Sequence, residues 1–276
     1  MIIKRFPEGK CKAVTLSYDD GVAQDIRLVE IMSKYGIKGT FNVNTGLMSK
    51  EDNTTGKGKL SAKQMLKLYK ESGNEVAVHG YIHSHLEDLS ADLITDEVLT
   101  DRKVLEEMFD TDVRGMAYPF GTYNDTVLDC LKACGIAYSR TVKTTECFGI
   151  PSNWLELHPT CHHNNPRLFE LAEQFIAHDY KARYNDTVNM FYLWGHTYEF
   201  DNDNNWDRIE KFCEYMGGRD DIWYATNIEI YDYMQAANQL RFNVAKTTAY
   251  NPTSTDVWFS EEGKLYKVPV GETIKL

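Results

Sequence analysis

Three apolar runs in this chain end on residues suited to chemistry: Asp19-Asp20-Gly21 after KAVTLSY, His79 and His83 after EVAV, and His196 at the end of LWGH. Adjacent carboxylates repel unless a cation or an assigned proton relieves them, and Gly21 permits a tight turn out of the strand. The plain alternative is a helix N-cap beside a turn aspartate. On one helical turn, residues four apart share a face, so His79 and His83 could grip one metal ion as neutral imidazoles. With Asp20 they offer two nitrogens and one oxygen. That set leaves positions open for water and substrate, as a catalytic centre requires. His85 falls out of step and reads as a surface residue or a neighbour of the ligands.

In Ala117-Tyr118-Pro119-Phe120-Gly121, Pro and Gly impose an unusual backbone path after another strand. Such a turn can aim a main-chain N–H at a developing oxyanion. His196 could protonate a leaving group, its alternative being a satisfied core histidine. His158, Cys161, His162 and His163 form a second dense cluster, HPTCHH. A structural zinc site is one reading, but the spacing fits no standard finger and a fourth ligand is unclear. The favoured reading has the cluster, His162 included, lining the substrate groove. His178 and the Cys130/Cys134 pair read as structural.

Strand-then-helix units must carry these residues. KAVTLSY, GTFNVNT, EVAVH, VRGMAYP and TVNMFYLWGH read as buried strands. VAQDIRLVEIMSKYG, SAKQMLKLYKESG, ADLITDEVLTDRKVLEEMF, NDTVLDCLKACG, WDRIEKFCEYMG and TNIEIYDYMQAANQL read as helices. That alternation predicts an α/β fold built on a parallel sheet, close to a barrel, complete or incomplete, whose strands deliver their carboxyl ends to one face. Between Ile136 and Arg183 the pattern weakens into turn-rich sequence of the kind that builds sites. Residues 1–240 read as the catalytic domain, and 241–276 as a short C-terminal β-hairpin around EEGK packed on it.

A chain of 276 residues can bury a large core in one domain. With 41 acidic against 30 basic residues, the net charge of −11 repels polyanions and argues against nucleic acid. No apolar run approaches the roughly 18 residues of a membrane span. MIIKRFPEGK has no secretory signal, so the chain as given reads as cytoplasmic; with a leader removed, a secreted or envelope protein would look the same. Its 17 tyrosines and 5 tryptophans could offer platforms to sugar rings, although core packing alone would also account for them.

SYDDG, HGYIH, AYPFG and LWGH, in that order, resemble the ordered motifs of carbohydrate esterase family 4, the NodB-homology polysaccharide deacetylases. The resemblance covers roughly residues 11–238 and implies a distorted (β/α) barrel of about seven strands. It assigns Asp19 as catalytic base, Asp20, His79 and His83 as metal ligands, and His196 as general acid. It places the Phe120 backbone N–H at the oxyanion, with Tyr118 in the same motif, and Trp154 in the groove beside the acetyl group. Two departures follow. Ala117 stands where many members have an arginine that orients the base, which leaves Arg140 as the candidate for that task. Asn153 replaces an aspartate that tunes the acid histidine, and Tyr198 or Glu199 could extend the pocket.

The implied activity is hydrolysis of N-acetyl, or O-acetyl, groups from a polysaccharide or oligosaccharide. The implied cofactor is one divalent metal, zinc first, with cobalt, manganese or nickel as alternatives. Two other readings keep the scaffold: a hydrolase of a small non-polymeric amide, and a catalytically inactive sugar-binding barrel.

Overall fold

The computed structural model describes residues 2–178 and 187–276. A short strand, β1 (Ile2–Arg5), precedes β2 (Lys12–Asp19), in which all eight residues are buried. Then follow α1 (Asp25–Lys34), β3 (Gly39–Val43), α2 (Ala62–Glu71), β4 (Glu75–Val78), α3 (Ala91–Phe109), β5 (Gly115–Ala117), α4 (Asp125–Ala133) and β6 (Tyr138–Arg140). Beyond a long connection come β7 (Cys161–His162), α5 (Leu168–Ala177), β8 (Asn189–Gly195), α6 (Tyr198–Asn202), α7 (Trp206–Met216), β9 (Ile222–Tyr224) and α8 (Asn227–Asn238). The tail carries β10 (Arg241–Phe242), β11 (Thr248–Tyr250), β12 (Val257–Glu261), β13 (Lys264–Val268) and β14 (Thr273–Lys275).

Seven parallel strands curl into a half-barrel in the order β6-β5-β4-β3-β2-β8-β7. β9 also pairs with β2, at residues 12–14, below the point where β3 joins at Leu16. Buried on both faces, the central strands need no polar alternation, which explains their continuous apolar runs. In β8, Phe191 and Leu193 enter the larger core under the helices, while Met190 and Tyr192 enter a second core shared with α8. Side-chain N-caps anchor α2 at Ser61, α4 at Asn124 and α8 at Thr226. In α8, the Thr226 side chain accepts from Glu229 N while Glu229 Oε2 accepts from Thr226 N at 2.8 Å, a capping box worth about 1 kcal/mol.

Three elements differ from the expectation. The first helix begins at Asp25 rather than Val22, because Asp25 Oδ2 accepts from Val22 N at 3.1 Å and holds the preceding residues in a turn. Within the weakly patterned stretch the chain forms β6, β7 and α5; the two strands have three and two residues, too few for a period to register. Residues 179–183 of that stretch lie outside the described residues. At the C terminus, β12 and β13 do form the hairpin, turning at Glu262 and Gly263 with φ of 51° and 80°. β1 extends it to three strands, and β14 instead pairs with β11 in a second small sheet with β10.

Candidate active site

Because the strands are parallel, their carboxyl ends meet at one rim, and the site residues stand there. Asp19 closes β2, His79 follows β4, Ala117 and Arg140 close β5 and β6, His162 closes β7, and His196 follows β8. Register brings Asp19 opposite Asn42 and Ala117 opposite Arg140.

Asp19 is almost fully buried. Its Oδ2 accepts from Arg140 Nη2 and its Oδ1 from Asn42 Nδ2 at 2.8 Å. His79 Nε2 and His196 Nε2 stand 3.8 and 3.7 Å from Oδ2. Burial works to raise the Asp19 pKa, but the Arg140 guanidinium and the two imidazoles outweigh it and hold it at about 2. The carboxylate is therefore ionised and able to accept a proton. Arg140 is itself fully buried, with its guanidinium 4.4 Å above the Trp194 ring.

Asp20 turns away from the strand with φ of 84°, held by Lys59 Nζ on its carbonyl at 2.7 Å and its Oδ1 at 3.1 Å. One ligand atom each from Asp20, His79 and His83 lie within 4.8 Å of one another. His79 Nδ1 donates to Ala117 O at 2.9 Å, which leaves Nε2 bare toward the cluster. Burial, outweighing the pull of Asp19, holds the His79 pKa at about 4, so the ring is neutral. Two imidazoles and a carboxylate with a fixed tautomer fit a divalent cation, zinc included. The convergence is not helical, however. His79 to His85 form a loop after β4, with Gly80 at φ 74° and His83 at φ 60°, and this path brings the two rings to 4.7 Å at 75°. An i, i+4 helical face was the wrong reason for their proximity.

His196 Nδ1 faces Glu199 Oε1 at 3.3 Å. Burial works to lower its pKa, but Glu199 and Asp19 prevail and raise it, favouring the imidazolium. Phe120 sits at φ 59° in the turn after β5, half exposed, its ring stacked on His85 at 3.7 Å and edge-on to His83 at 4.4 Å. The Tyr118 side chain points elsewhere: it is buried, stacks on Tyr123 and donates to Leu155 O at 2.8 Å. Trp154 packs edge-on against Tyr231 at 5.2 Å, beside the α8 core. Asn153 donates to Glu156 Oε2 at 2.6 Å. In the HPTCHH cluster, His162 and His163 gather on Glu199, whereas Cys161 is buried in the main core and His158 Nδ1 lies 2.7 Å from Thr141 Oγ1.

Residues 7–139 match the family model for polysaccharide deacetylase. The match takes in 133 of the 276 residues. Fold similarity extends further. A provisionally assigned polysaccharide deacetylase from Mycobacterium smegmatis is 16% identical over 86% of this chain and 94% of its own, with a TM-score of 0.57. A family 4 carbohydrate esterase pseudoenzyme from Bacillus anthracis is 17% identical over 83% and 68%, with a TM-score of 0.50. A Streptococcus pyogenes deacetylase solved with acetate is 27% identical over 51% of this chain, which spans 61% of that protein's length, with a TM-score of 0.46. Curated protein sequences contain no match.

Sequence reasoning passed over three supports of this site. Asn42 interrupts an apolar strand, and a buried polar residue there is itself a sign of a partner. Asp101 interrupts the buried stripe Ile94, Val98, Leu105 of α3; its carboxylate accepts from Thr45 N at 2.7 Å and His79 N at 3.0 Å. Lys59 lies in the loop before α2, where nothing in TTGKGKL distinguishes it from a solvated lysine.

Proposed function

We propose that this protein is a metal-dependent deacetylase that hydrolyses N-acetyl or O-acetyl groups on an oligosaccharide or polysaccharide. The observation carrying this reading is the pairing of an ionised carboxylate, Asp19, with a protonation-prone imidazole, His196, 3.7 Å apart beside the Asp20, His79 and His83 cluster. Two titratable groups whose environments push them toward opposite protonation states form an acid–base pair.

Asp20, His79 and His83 would hold the cation, which when bound supplies Lewis-acid polarisation of the acetyl carbonyl and a lowered pKa for water. Asp19 Oδ2 takes the proton from the attacking water, and Arg140 and Asn42 hold its two oxygens in place. The Phe120 backbone N–H, set by its positive φ, is the proposed donor to the tetrahedral oxyanion. His196 Nε2 then gives its proton to the departing sugar amine or hydroxyl. The acidic surface of the chain suits a neutral or cationic sugar.

Acetate release by zinc-loaded protein, beside Asp19→Asn, on chitooligosaccharides, peptidoglycan fragments and acetylated xylan tests this. Release from at least one substrate, reduced 100-fold or more by the substitution, is expected. Release that is indifferent to Asp19 would overturn the assignment of the base. No release from any of the three would favour the small-amide hydrolase or the inactive binding barrel.

A further inference from the structure

His196 needs a hydrogen-bond acceptor behind it if its Nε2 is to serve as an acid, and Asn153 is engaged with Glu156 and Leu155 instead. The carboxylate that reaches it comes from α6. Glu199 is folded back on the end of β8: Glu199 N donates to His196 O at 3.1 Å, and Glu199 Oε2 lies 3.3 Å from His196 N. Its Oε1 faces His196 Nδ1 at 3.3 Å, a length common for catalytic hydrogen bonds in sites without substrate. Its Oε2 is contacted at 3.1 Å by both His162 Nε2 and His163 Nε2.

The second trio, His162, His163 and Glu199, has the composition of a metal site. Its hydrogen bonding argues otherwise. Asn164 N donates to His162 Nδ1 at 3.2 Å, so in the neutral ring the proton lies on Nε2, the nitrogen that faces Glu199. An Nε2–H donates to a carboxylate and has no lone pair for a cation. His163 is buried, with its ring stacked between Tyr18 at 5.7 Å and Phe200 at 4.2 Å. A Cβ on Gly195 would fall 2.0 Å from His163 Nδ1, so the glycine of LWGH is what lets this ring reach Glu199. Three imidazoles thus surround one carboxylate, His162 and His163 each with Nε2 3.1 Å from one oxygen and His196 facing the other, although His163 Nε2 is not aligned for a hydrogen bond.

We infer that Glu199 is the positioning residue for His196, orienting it through Nδ1, and that His162 and His163 fix Glu199 rather than bind metal or substrate. This rests on the deacetylase reading above. It predicts that loss of Glu199 harms reactions that need a proton donor more than those that do not.

With the zinc-loaded protein, Glu199→Gln should lower kcat on an N-acetyl sugar at least tenfold more than kcat on an activated aryl acetate, whose phenolate leaves without protonation, with little change in KM. Glu199→Asp should recover part of the difference. Equal losses on both substrates would reduce Glu199 to a structural role and overturn the inference. Imidazole nitrogen resonances provide a readout independent of turnover: the His196 Nδ1–H signal should shift in Glu199→Ala, and an unchanged signal would also overturn it. If the wild type releases no acetate, the deacetylase reading fails while this resonance still tests the contact. Zinc stoichiometry should be one per chain, unchanged in His162→Ala; a second zinc lost in that variant would replace the histidine–carboxylate hub by a metal site.

Discussion

Arg140 illustrates how much of the site depends on single buried charges. Its guanidinium donates to Asp19 and lies over Trp194, while its Nε and Nη1 have no hydrogen-bond partner among the described residues. Removing one member of a buried ion pair leaves the other uncompensated, which costs about 3–5 kcal/mol. Arg140→Met should therefore lower stability in urea by that order, beside its effect on turnover; a change below about 1 kcal/mol would mean that the pair is solvated. That Arg140, the fifth residue of the weakly patterned stretch, meets Asp19 was open to suspicion, because Ala117 left the base without the usual partner. Its distance in sequence, from 140 to 19, hides the contact from any local reading. Glu199 was visible as a residue near His196, but its link to His162 and His163 requires β7 and β8 to be neighbours.

At the scale of elements, strand ends set the positions and helices lock them. Asp101 reaches from α3 to the loops after β3 and β4, joining Thr45 to His79. Asp101→Asn replaces an acceptor facing N–H donors by an amide, at a cost of about 1–3 kcal/mol for the unpaired groups. Urea unfolding should register that loss, and zinc affinity should fall with it because His79 loses its anchor; unchanged values in both would make the contact incidental. Long strands and helices such as β2, β8 and α3 were legible in sequence because their periods repeat. β6, β7 and β9 have two or three residues each, and their pairing comes from neighbours rather than from their own composition. The loop carrying His79 and His83 shows the limit in another way: a spacing of four suggests a helix, yet positive φ at Gly80 and His83 produces the same convergence.

Over the whole molecule, the two ends of the half-barrel differ in chemistry. Opposite the site, Glu75 accepts from Tyr138 OH, Thr40 Oγ1 and Ile228 N at 2.7, 2.7 and 2.9 Å, and burial raises its pKa to about 7. A carboxyl whose folded pKa exceeds its unfolded value adds stability below the unfolded value, about 4.5, and loses it as pH rises through about 7. His79 and His163, lowered to about 4, pull the opposite way between that value and their usual 6.5, so the total profile blends the two. Comparing Glu75→Gln with wild type isolates the one group: the variant should gain relative stability from pH 5 to pH 8, by at most about 1.4 kcal/mol per pH unit. A constant difference in urea midpoint would place Glu75 in solvent. The alternation of strands and helices, the parallel sheet and the ordered motifs were readable from the chain because each depends on local periodicity or on residues adjacent in sequence. Which arginine faces Asp19, which carboxylate supports His196, and how the C-terminal strands divide between two small sheets depended on contacts between residues tens to hundreds of positions apart, and such contacts leave no local pattern to read.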